Sequence, residues 1–169
     1  QVERDLKKIL LGKDFEILVQ RGGRNRDMLI RRLRSANGNA ILLGTDSFWE
    51  GIDVPGPALQ VVVIPKLPFA VPNDPIVAAR INKLRREGGN PFMEYQLPNA
   101  VLKVRQGAGR LIRTVTDRGV ILMLDARILT KRYGDIFYRT LPGKASQFEN
   151  TESLLEAMDA YISDNTTDE

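Results

Sequence analysis

The sequence predicts an α/β protein in which a mainly parallel sheet is flanked by helices. Its 169 residues are about the length of one domain, and 43% hydrophobic with 27% charged residues is ordinary for a globular fold. Strand-like and helix-like apolar patterns alternate along the chain, which is typical of parallel sheets with helical crossovers. The continuous apolar runs at 40–43 and 59–64 further predict strands buried on both faces of that sheet.

The first half of the chain predicts two helices and two strands. Apolar residues in 2–10 recur at helical spacing and stop at Gly12, whereas residues 15–19 alternate as in a strand. A second helix is predicted over 24–34, ending near Asn37-Gly38. Its predicted apolar stripe consists of Met28, Leu29 and Leu33. The run 40–43 is the second strand.

The rest of the chain adds strands at 59–64 and 119–124 and three helices. Asp74 before Pro75 is a typical helix start, and Gly88-Gly89 closes that helix. A further helix is predicted from Leu97-Pro98-Asn99 to about Arg113, and an amphipathic one over 151–162.

Composition excludes several functions. The chain contains neither Cys nor His, so it cannot itself hold a thiolate zinc site or a cysteine-bound iron–sulfur cluster, and a serine-type triad is disfavoured. No apolar run has the roughly 20 residues needed to cross a bilayer, and no secretory signal opens the chain. We therefore expect no membrane partner, and a cytoplasmic location.

The charge is unevenly distributed. All 25 basic residues lie in 1–144 beside 14 acidic ones, a net charge of +11, whereas 145–169 contains seven acids and no base. A body this basic indicates a polyanionic partner, with nucleic acid first; a solvated basic surface is the alternative. The acidic tail either docks on the basic body or stays in solvent.

The segment 101–113 predicts a helix with two opposed faces. At about 100° per residue, Gln106, Arg110 and Arg113 share a narrow stripe opposite the apolar one, while Leu102 stands on the polar side. Such a fork of donors is suited to clamping phosphate oxygens; two salt-bridged surface arginines are the alternative. Gly107 and Gly109 weaken a helix, which suggests that a backbone or ligand approaches closely here.

A second candidate site follows the strand at 40–43, in the loop GTDSFWEGIDVPG (44–56). Ligands of open α/β sheets bind beyond the carboxyl ends of strands, so we expect the arginine stripe and this loop to face one ligand-binding edge. The loop offers hydroxyls, carboxylates and glycines. Phe48 and Trp49 either stack on a base or plug the edge of the core.

These segments resemble a known family. The loop 44–56 resembles motif V, and QGAGRLIR (106–113) resembles motif VI, of superfamily 2 DNA helicases of the DinG/XPD (Rad3-related) group. PKLPFAVPNDP (65–75) and LDARILTKRYGDIFYRTLP (124–142) are similar to further runs of the bacterial DinG branch. The resemblance covers about 15–143 and implies a RecA-like second motor domain at 1–143, followed by an acidic tail with a helix at 144–169.

The resemblance also implies roles for particular residues. Motif VI arginines of relatives reach across a cleft to the ATP γ-phosphate, so Arg113 is the expected arginine finger, with Arg110 beside it and Gln106 ordering the phosphate and water. The nucleotide side of the site is expected to include Gly51, Asp53, Glu50 and Gly109. Single-stranded DNA is expected at Thr45 and Ser47 and along basic residues chosen by position: Arg21, Arg24, Lys66, Arg80, Lys83, Arg85 and Arg86. Arg31, Arg32 and Arg34 are interpreted as a solvated helix face, and Asp125 with Arg127 as a structural turn.

The sequence lacks a G-x-x-x-x-G-K-[ST] phosphate loop and a DEAH-like acid pair. In the family, ATP with Mg²⁺ is held mainly by a first RecA-like domain, which is therefore the expected protein partner. The chain starts inside what would be the domain's first helix, so we interpret it as an N-terminally truncated piece that is inactive alone. The alternatives are a non-catalytic basic nucleic-acid-binding module and, less favoured, another nucleotide-binding α/β domain.

Overall fold

The computed structural model describes residues 1–22, 25–45, 48, 54, 58–111 and 118–164. Within these residues helices and strands alternate along most of the chain, as the sequence predicts. The helices are α1 (Val2–Ile9), α2 (Arg26–Ser35), α3 (Pro75–Arg86), α4 (Leu97–Ala108), α5 (Arg127–Thr130), α6 (Gly134–Thr140) and α7 (Thr151–Ser163). The strands are β1 (Glu16–Val19), β2 (Ala40–Leu43), β3 (Val61–Ile64) and β4 (Val120–Met123).

The strands pair in parallel, which confirms the predicted sheet type. β1 pairs with β2, in the register Glu16 to Ala40, and β3 pairs with β4, in the register Val61 to Val120. In the described part of the chain the four strands form these two separate pairs. Each parallel partner is reached through a crossover, as parallel pairing requires.

Each strand pair packs on its own apolar cluster. Leu18 of β1 is buried with Leu29, Ile30 and Leu33 of α2, and Phe48 completes the same cluster. The predicted stripe on α2 is therefore wrong in one member, because Met28 is 41% exposed and Ile30 occupies the core instead. Phe48 is 3% exposed, which confirms the interpretation of this aromatic as a core plug. Trp49 lies outside the described residues.

The second cluster lies between the β3–β4 pair and helices α4, α5 and α6. Ile64, Val104 and Phe137 are buried at its centre, with Val62 of β3 packed against them. Side chains of a strand alternate between its two faces, so Val63 points the other way and is 48% exposed. The prediction that β3 is buried on both faces is therefore wrong.

The starts of two helices follow the capping rules. The Asp74 side chain accepts hydrogen bonds from the backbone N–H groups of Ile76 (2.8 Å) and Val77 (3.1 Å), which confirms the predicted start of α3. Asn150 caps α7 in the same way, accepting from the N–H of Ser153 at 2.9 Å. The acidic tail therefore carries a helix, as predicted; none of its residues is fully buried, but Leu154, Met158 and Ile162 of its apolar stripe are partly buried.

The helix predicted from Leu97 begins there, as expected, but ends earlier than predicted. A π-helical turn, Phe92–Gln96, precedes α4, and α4 ends at Ala108 rather than near Arg113. The N–H groups of Arg110 and Leu111 bond to Gly107 and Ala108, three residues back, so the chain tightens beyond the helix. The two glycines that flank Ala108 explain this early end, because glycine weakens helices.

α4 runs antiparallel to the strands it covers. At its start, the ring of Phe92 lies 5.5 Å from that of Phe69, which follows the carboxyl end of β3. At its end, Leu111 lies against Gly119, which precedes β4. None of the helices in the described ranges is long and apolar enough to cross a bilayer.

Candidate nucleotide and nucleic-acid site

The end of α4 positions two of the three residues in the predicted donor stripe. Gln106 lies in the last turn of α4 and Arg110 in the tighter turn that follows; both are partly exposed. Because α4 ends at Ala108, the predicted helical spacing of 100° per residue does not extend to Arg110, which lies outside the helix. Arg113 lies outside the described residues.

The predicted apolar stripe of this helix is buried, opposite the donor residues. Val104 and Ala108 are fully buried and Leu111 is 5% exposed, whereas Leu102 on the polar side is 52% exposed. Burial of these apolar side chains fixes the backbone at the end of α4, while Gln106 in its last turn is partly exposed. Gly107 is buried and Gly109 is exposed. A Cβ built on Gly109 would meet only carbonyl oxygens of its own preceding turn, Arg105 at 3.3 Å and Gln106 at 3.7 Å. Within the described residues, no other element lies within 4 Å of that Cβ position.

Thr45 is held at the carboxyl ends of β1 and β2, as predicted for the second candidate site. The side-chain oxygen of Gln20, which follows β1, accepts hydrogen bonds from the N–H (2.9 Å) and the hydroxyl (3.1 Å) of Thr45, which follows β2. Thr45 in turn accepts a backbone hydrogen bond from Phe48 at 2.9 Å. Sequence reasoning missed Gln20, although an amide directly after a strand was the available signal. Ser47, Glu50, Gly51 and Asp53 lie outside the described residues.

Thr45 and the turn after α4 lie at different strand ends of their own pairs. Thr45 follows the carboxyl ends of the β1–β2 pair, whereas Leu111 of that turn lies against Gly119, at the amino end of β4. The described strands form two separate pairs, so the expectation that both sites face one ligand-binding edge stays a prediction.

The basic residues chosen by position fall into two groups. Arg80, Lys83, Arg85 and Arg86 are exposed on α3, and Lys66 is exposed in the loop that leads to it. Arg80 lies 5.5 Å from the ring of Tyr95, and Lys83 is only loosely paired with Glu87, at 3.8 Å. Arg21 instead forms a 2.9 Å ion pair with Glu3, and Arg24 lies outside the described residues.

Glu3 is held in its charged form by its neighbours. A hydrogen bond from Lys7 lowers the pKa of the Glu3 carboxyl; burial opposes this shift, and the charge of Arg21 lowers the pKa further. Arg21 is therefore paired within the chain, although it lies at an exposed surface. On α2, Arg31, Arg32 and Arg34 are exposed, in accord with a solvated helix face, and Arg32 pairs with Glu16.

Asp125 and Arg127 form a structural turn after β4, as interpreted from the sequence. Asp125 is buried and accepts hydrogen bonds from the N–H of Leu67 (2.8 Å) and from the backbone and guanidinium of Arg127, the closest at 2.6 Å. These donors, with Arg127 first, hold the pKa of the Asp125 carboxyl well below its usual range. The same guanidinium lies 5.2 Å from the ring of Phe69.

The chain was compared with known proteins. A family model described as the helicase C-terminal domain matches residues 1–144. The chain belongs to the helicase C-terminal domain family. This assignment confirms the resemblance read from motifs V and VI and, with the parallel strands and flanking helices, the RecA-like fold class.

Relatives place the chain within the family. It is 48% identical to the ATP-dependent DNA helicase YoaA of Escherichia coli (strain K12) over 126 residues, which are 75% of this chain and 20% of the relative. It is 43% identical to the 3′-5′ exonuclease DinG of Bacillus subtilis (strain 168) over 158 residues, which are 93% of this chain and 17% of the relative. It is 46% identical to the ATP-dependent helicase DinG of Mycobacterium tuberculosis (strain ATCC 25618 / H37Rv) over 108 residues, which are 64% of this chain and 16% of the relative.

The helicase C-terminal domain described here is of the DinG type. It spans a fifth or less of the length of these relatives, so the activities in their names belong to much longer proteins.

Proposed function

We propose that this helicase C-terminal domain is the second motor domain of an ATP-driven DNA helicase and supplies the trans-acting arginines of its ATPase site. The observation that carries the proposal is the seat of Gln106 and Arg110, polar side chains held on a buried backbone at the end of α4. A rigid seat matters because a trans-acting guanidinium accelerates phosphoryl transfer only when it is positioned against the developing charge.

The residues of this segment fit part of an ATP site. Guanidinium and amide groups are hydrogen-bond donors that match phosphate oxygens, and Gln106, Arg110 and Arg113 provide them. ATP with Mg²⁺ would be bound mostly by a first RecA-like domain, since this sequence has no phosphate loop of its own. When bound, that complex supplies the phosphoryl group; this chain orients it and neutralises its charge.

The loop after β2 is proposed to link the nucleotide to DNA. Gln20 fixes the backbone and hydroxyl of Thr45 through two hydrogen bonds, so the start of this loop is held to both strand ends. In the proposed helicase, Thr45 and Ser47 contact the DNA backbone. Glu50, Gly51 and Asp53 lie on the nucleotide side, with Gly109 where motif VI approaches it.

Single-stranded DNA is proposed to follow the exposed cations of α3. Arg80 and Lys83 are three residues apart and therefore lie on one face of the helix, where they can bind successive phosphates. Such contacts read charge rather than sequence, as a translocating motor requires. Arg21 is a poorer candidate, because its pair with Glu3 would have to open first.

The test is made in a helicase that contains this domain together with its first motor domain. Arg113→Ala should lower the turnover number by about 10³-fold or more while nucleotide affinity persists, because most binding contacts lie on the other domain. Arg105→Ala is the matched control, since Arg105 is an exposed arginine in the last turn of α4, outside the proposed donor stripe, and should keep normal turnover. Normal turnover in both Arg110→Ala and Arg113→Ala would remove this domain from the chemistry.

A second candidate is a basic module that binds nucleic acid and takes no part in hydrolysis. The exposed, weakly paired Lys83 favours it as much as it favours the motor. The arginine variants separate the two functions, because a pure binding module would retain DNA affinity and ATP turnover in all of them.

A further inference from the structure

Gly119 has almost no room for a side chain. A Cβ at this position would lie 2.6 Å from both the Cγ and the Cδ1 atoms of Leu111 and 2.8 Å from the carbonyl oxygen of Gln60. Carbon atoms in ordinary contact are 3.5–4.0 Å apart, so any larger residue would displace one of these neighbours. The backbone at Gly119 is therefore the surface on which the Leu111 side chain rests.

Gly119 is also fixed in place by the strand pair. The next residue, Val120, donates its N–H to the carbonyl of Gln60 at 2.9 Å, and the β3–β4 ladder begins at this point. An added Cβ would crowd that same carbonyl. Movement is therefore easier for Leu111, whose side-chain end is flexible, than for the strand backbone.

Leu111 transmits this contact to the arginine segment. It is 5% exposed and follows Arg110 directly, in a turn closed by two hydrogen bonds to residues three positions earlier. Arg110 itself is partly exposed in that turn. A displacement of Leu111 acts on the peptide that it shares with Arg110, so Gly119 and Arg110 are linked through this one residue.

We propose that Gly119 is a positioning residue for ATP hydrolysis: by seating Leu111, it fixes the turn that carries Arg110. This inference rests on the proposed function of the two arginines. Gly119 touches no substrate in this role. It acts by leaving room for the Leu111 side chain to pack against the start of β4.

The test is Gly119→Ala in the two-domain helicase, with turnover, nucleotide affinity and DNA affinity measured separately. A misplacement of about 1 Å at a catalytic group can cost on the order of 10²-fold, so we expect turnover to fall by about 10- to 100-fold. Affinities for ATP and single-stranded DNA should stay within about twofold, because the groups that provide most of that binding lie elsewhere. Leu111→Val, which trims the same contact without overlap, should lower turnover in the same direction and serves if Gly119→Ala does not fold.

Gly89→Ala is the matched control for a purely structural effect. A Cβ at Gly89 would also overlap a flexible side chain, with Glu94 Oε1 at 2.9 Å, but this glycine lies between α3 and the π-helical turn, at the other end of α4 from Arg110. We expect Gly89→Ala to lower the melting temperature without lowering turnover below that of the parent. The proposal is overturned if Gly119→Ala and Leu111→Val keep normal turnover, or if Gly89→Ala loses as much turnover at an equal loss of melting temperature.

The arginine variants keep this result separate from that of the proposed function. If Arg110→Ala and Arg113→Ala abolish turnover while Gly119→Ala does not change it, only the positioning role fails. If neither arginine variant affects turnover, the proposed function itself fails.

Discussion

The buried carboxylate of Asp125 accepts a 2.8 Å hydrogen bond from the backbone N–H of Leu67, a residue 58 positions away. This bond joins the carboxyl end of β4 to the loop that leaves β3. Arg127 closes the arrangement by bonding to Asp125 while lying over Phe69 in that same loop. These contacts attach the loop between β3 and the basic helix α3 to the carboxyl end of β4.

Removing the Asp125 carboxylate should destabilise the domain. Asp125→Ala leaves the buried N–H of Leu67 without its acceptor, which costs about 1–3 kcal/mol of unfolding free energy. Urea denaturation of the 169-residue chain measures it. Asp135→Ala is the control, because Asp135 pairs with Arg139 at the exposed surface and should cost less than about 1 kcal/mol. Equal losses in the two variants would contradict the importance assigned to the buried bond.

Stability should also depend on pH through Asp125. Because the folded-state pKa of this carboxyl is lowered, its charge stabilises the fold fully above the unfolded pKa of about 4, and this contribution is lost as the pH falls from there towards the folded pKa. The difference in unfolding free energy between the parent and Asp125→Asn should therefore be constant from about pH 5 to 7 and shrink below about pH 4. A difference that persists unchanged at about pH 2.5 would exclude this linkage.

The amino end of α3 should depend on its cap. Asp74→Ala removes the acceptor of the Ile76 and Val77 N–H groups and should cost about 1 kcal/mol of stability. Asp74→Asn retains an acceptor oxygen and should recover most of that loss. Thermal unfolding of the three proteins is the measurement, and an Asn variant as unstable as the Ala variant would argue against capping as the cause.

The 169-residue chain alone should not hydrolyse ATP, with or without single-stranded DNA. Its sequence has no phosphate loop, so neither the triphosphate nor its metal ion is bound in a reactive position. Phosphate release measured with and without DNA tests this. DNA-stimulated release that persists through further purification, and is lost in Arg113→Ala, would show that the chain contains a complete active site.

DNA binding by the chain should weaken steeply with salt, because it depends on phosphate contacts. Replacing Arg80 and Lys83 together by Ala should reduce the slope of log affinity against log salt by about 1.4, since each contact to a single strand contributes about 0.7. Lys8→Ala with Arg31→Ala is a charge-matched control on α1 and α2 and should leave the slope nearly unchanged. A slope that changes equally in both double variants would indicate a diffuse charge effect rather than a track on α3.

The sequence predicted those parts of the fold whose signals are local. Asp74 before a proline marked the start of α3, and alternation at 15–19 with apolar runs elsewhere marked the four strands of the described residues, because capping and strand patterns are set by residues close in the sequence. The predicted end of α4, at about Arg113, is five residues too late, because the apolar stripe continues beyond Ala108 whereas the neighbouring glycines weaken the helix.

Contacts between residues that are distant in the sequence could not be predicted from local sequence patterns. The hydrogen bonds from Thr45 to Gln20 and the seat of Leu111 on Gly119 join residues 25 and eight positions apart through the packing of strands and helices. Family motifs named Gln106 and Arg110, and the structure places the turn that carries Arg110 beside the start of β4, which local patterns did not indicate. The positions of Arg113, Glu50 and Asp53 stay predictions.

The antiparallel course of α4 has a mechanical consequence. Its twelve residues form a rod about 18 Å long, with Phe92 and Phe69 near one tip and Arg110 just past the other. A helix resists compression along its axis, so α4 is a stiff spacer between the aromatic contact of Phe92 with Phe69 and the turn that carries Arg110.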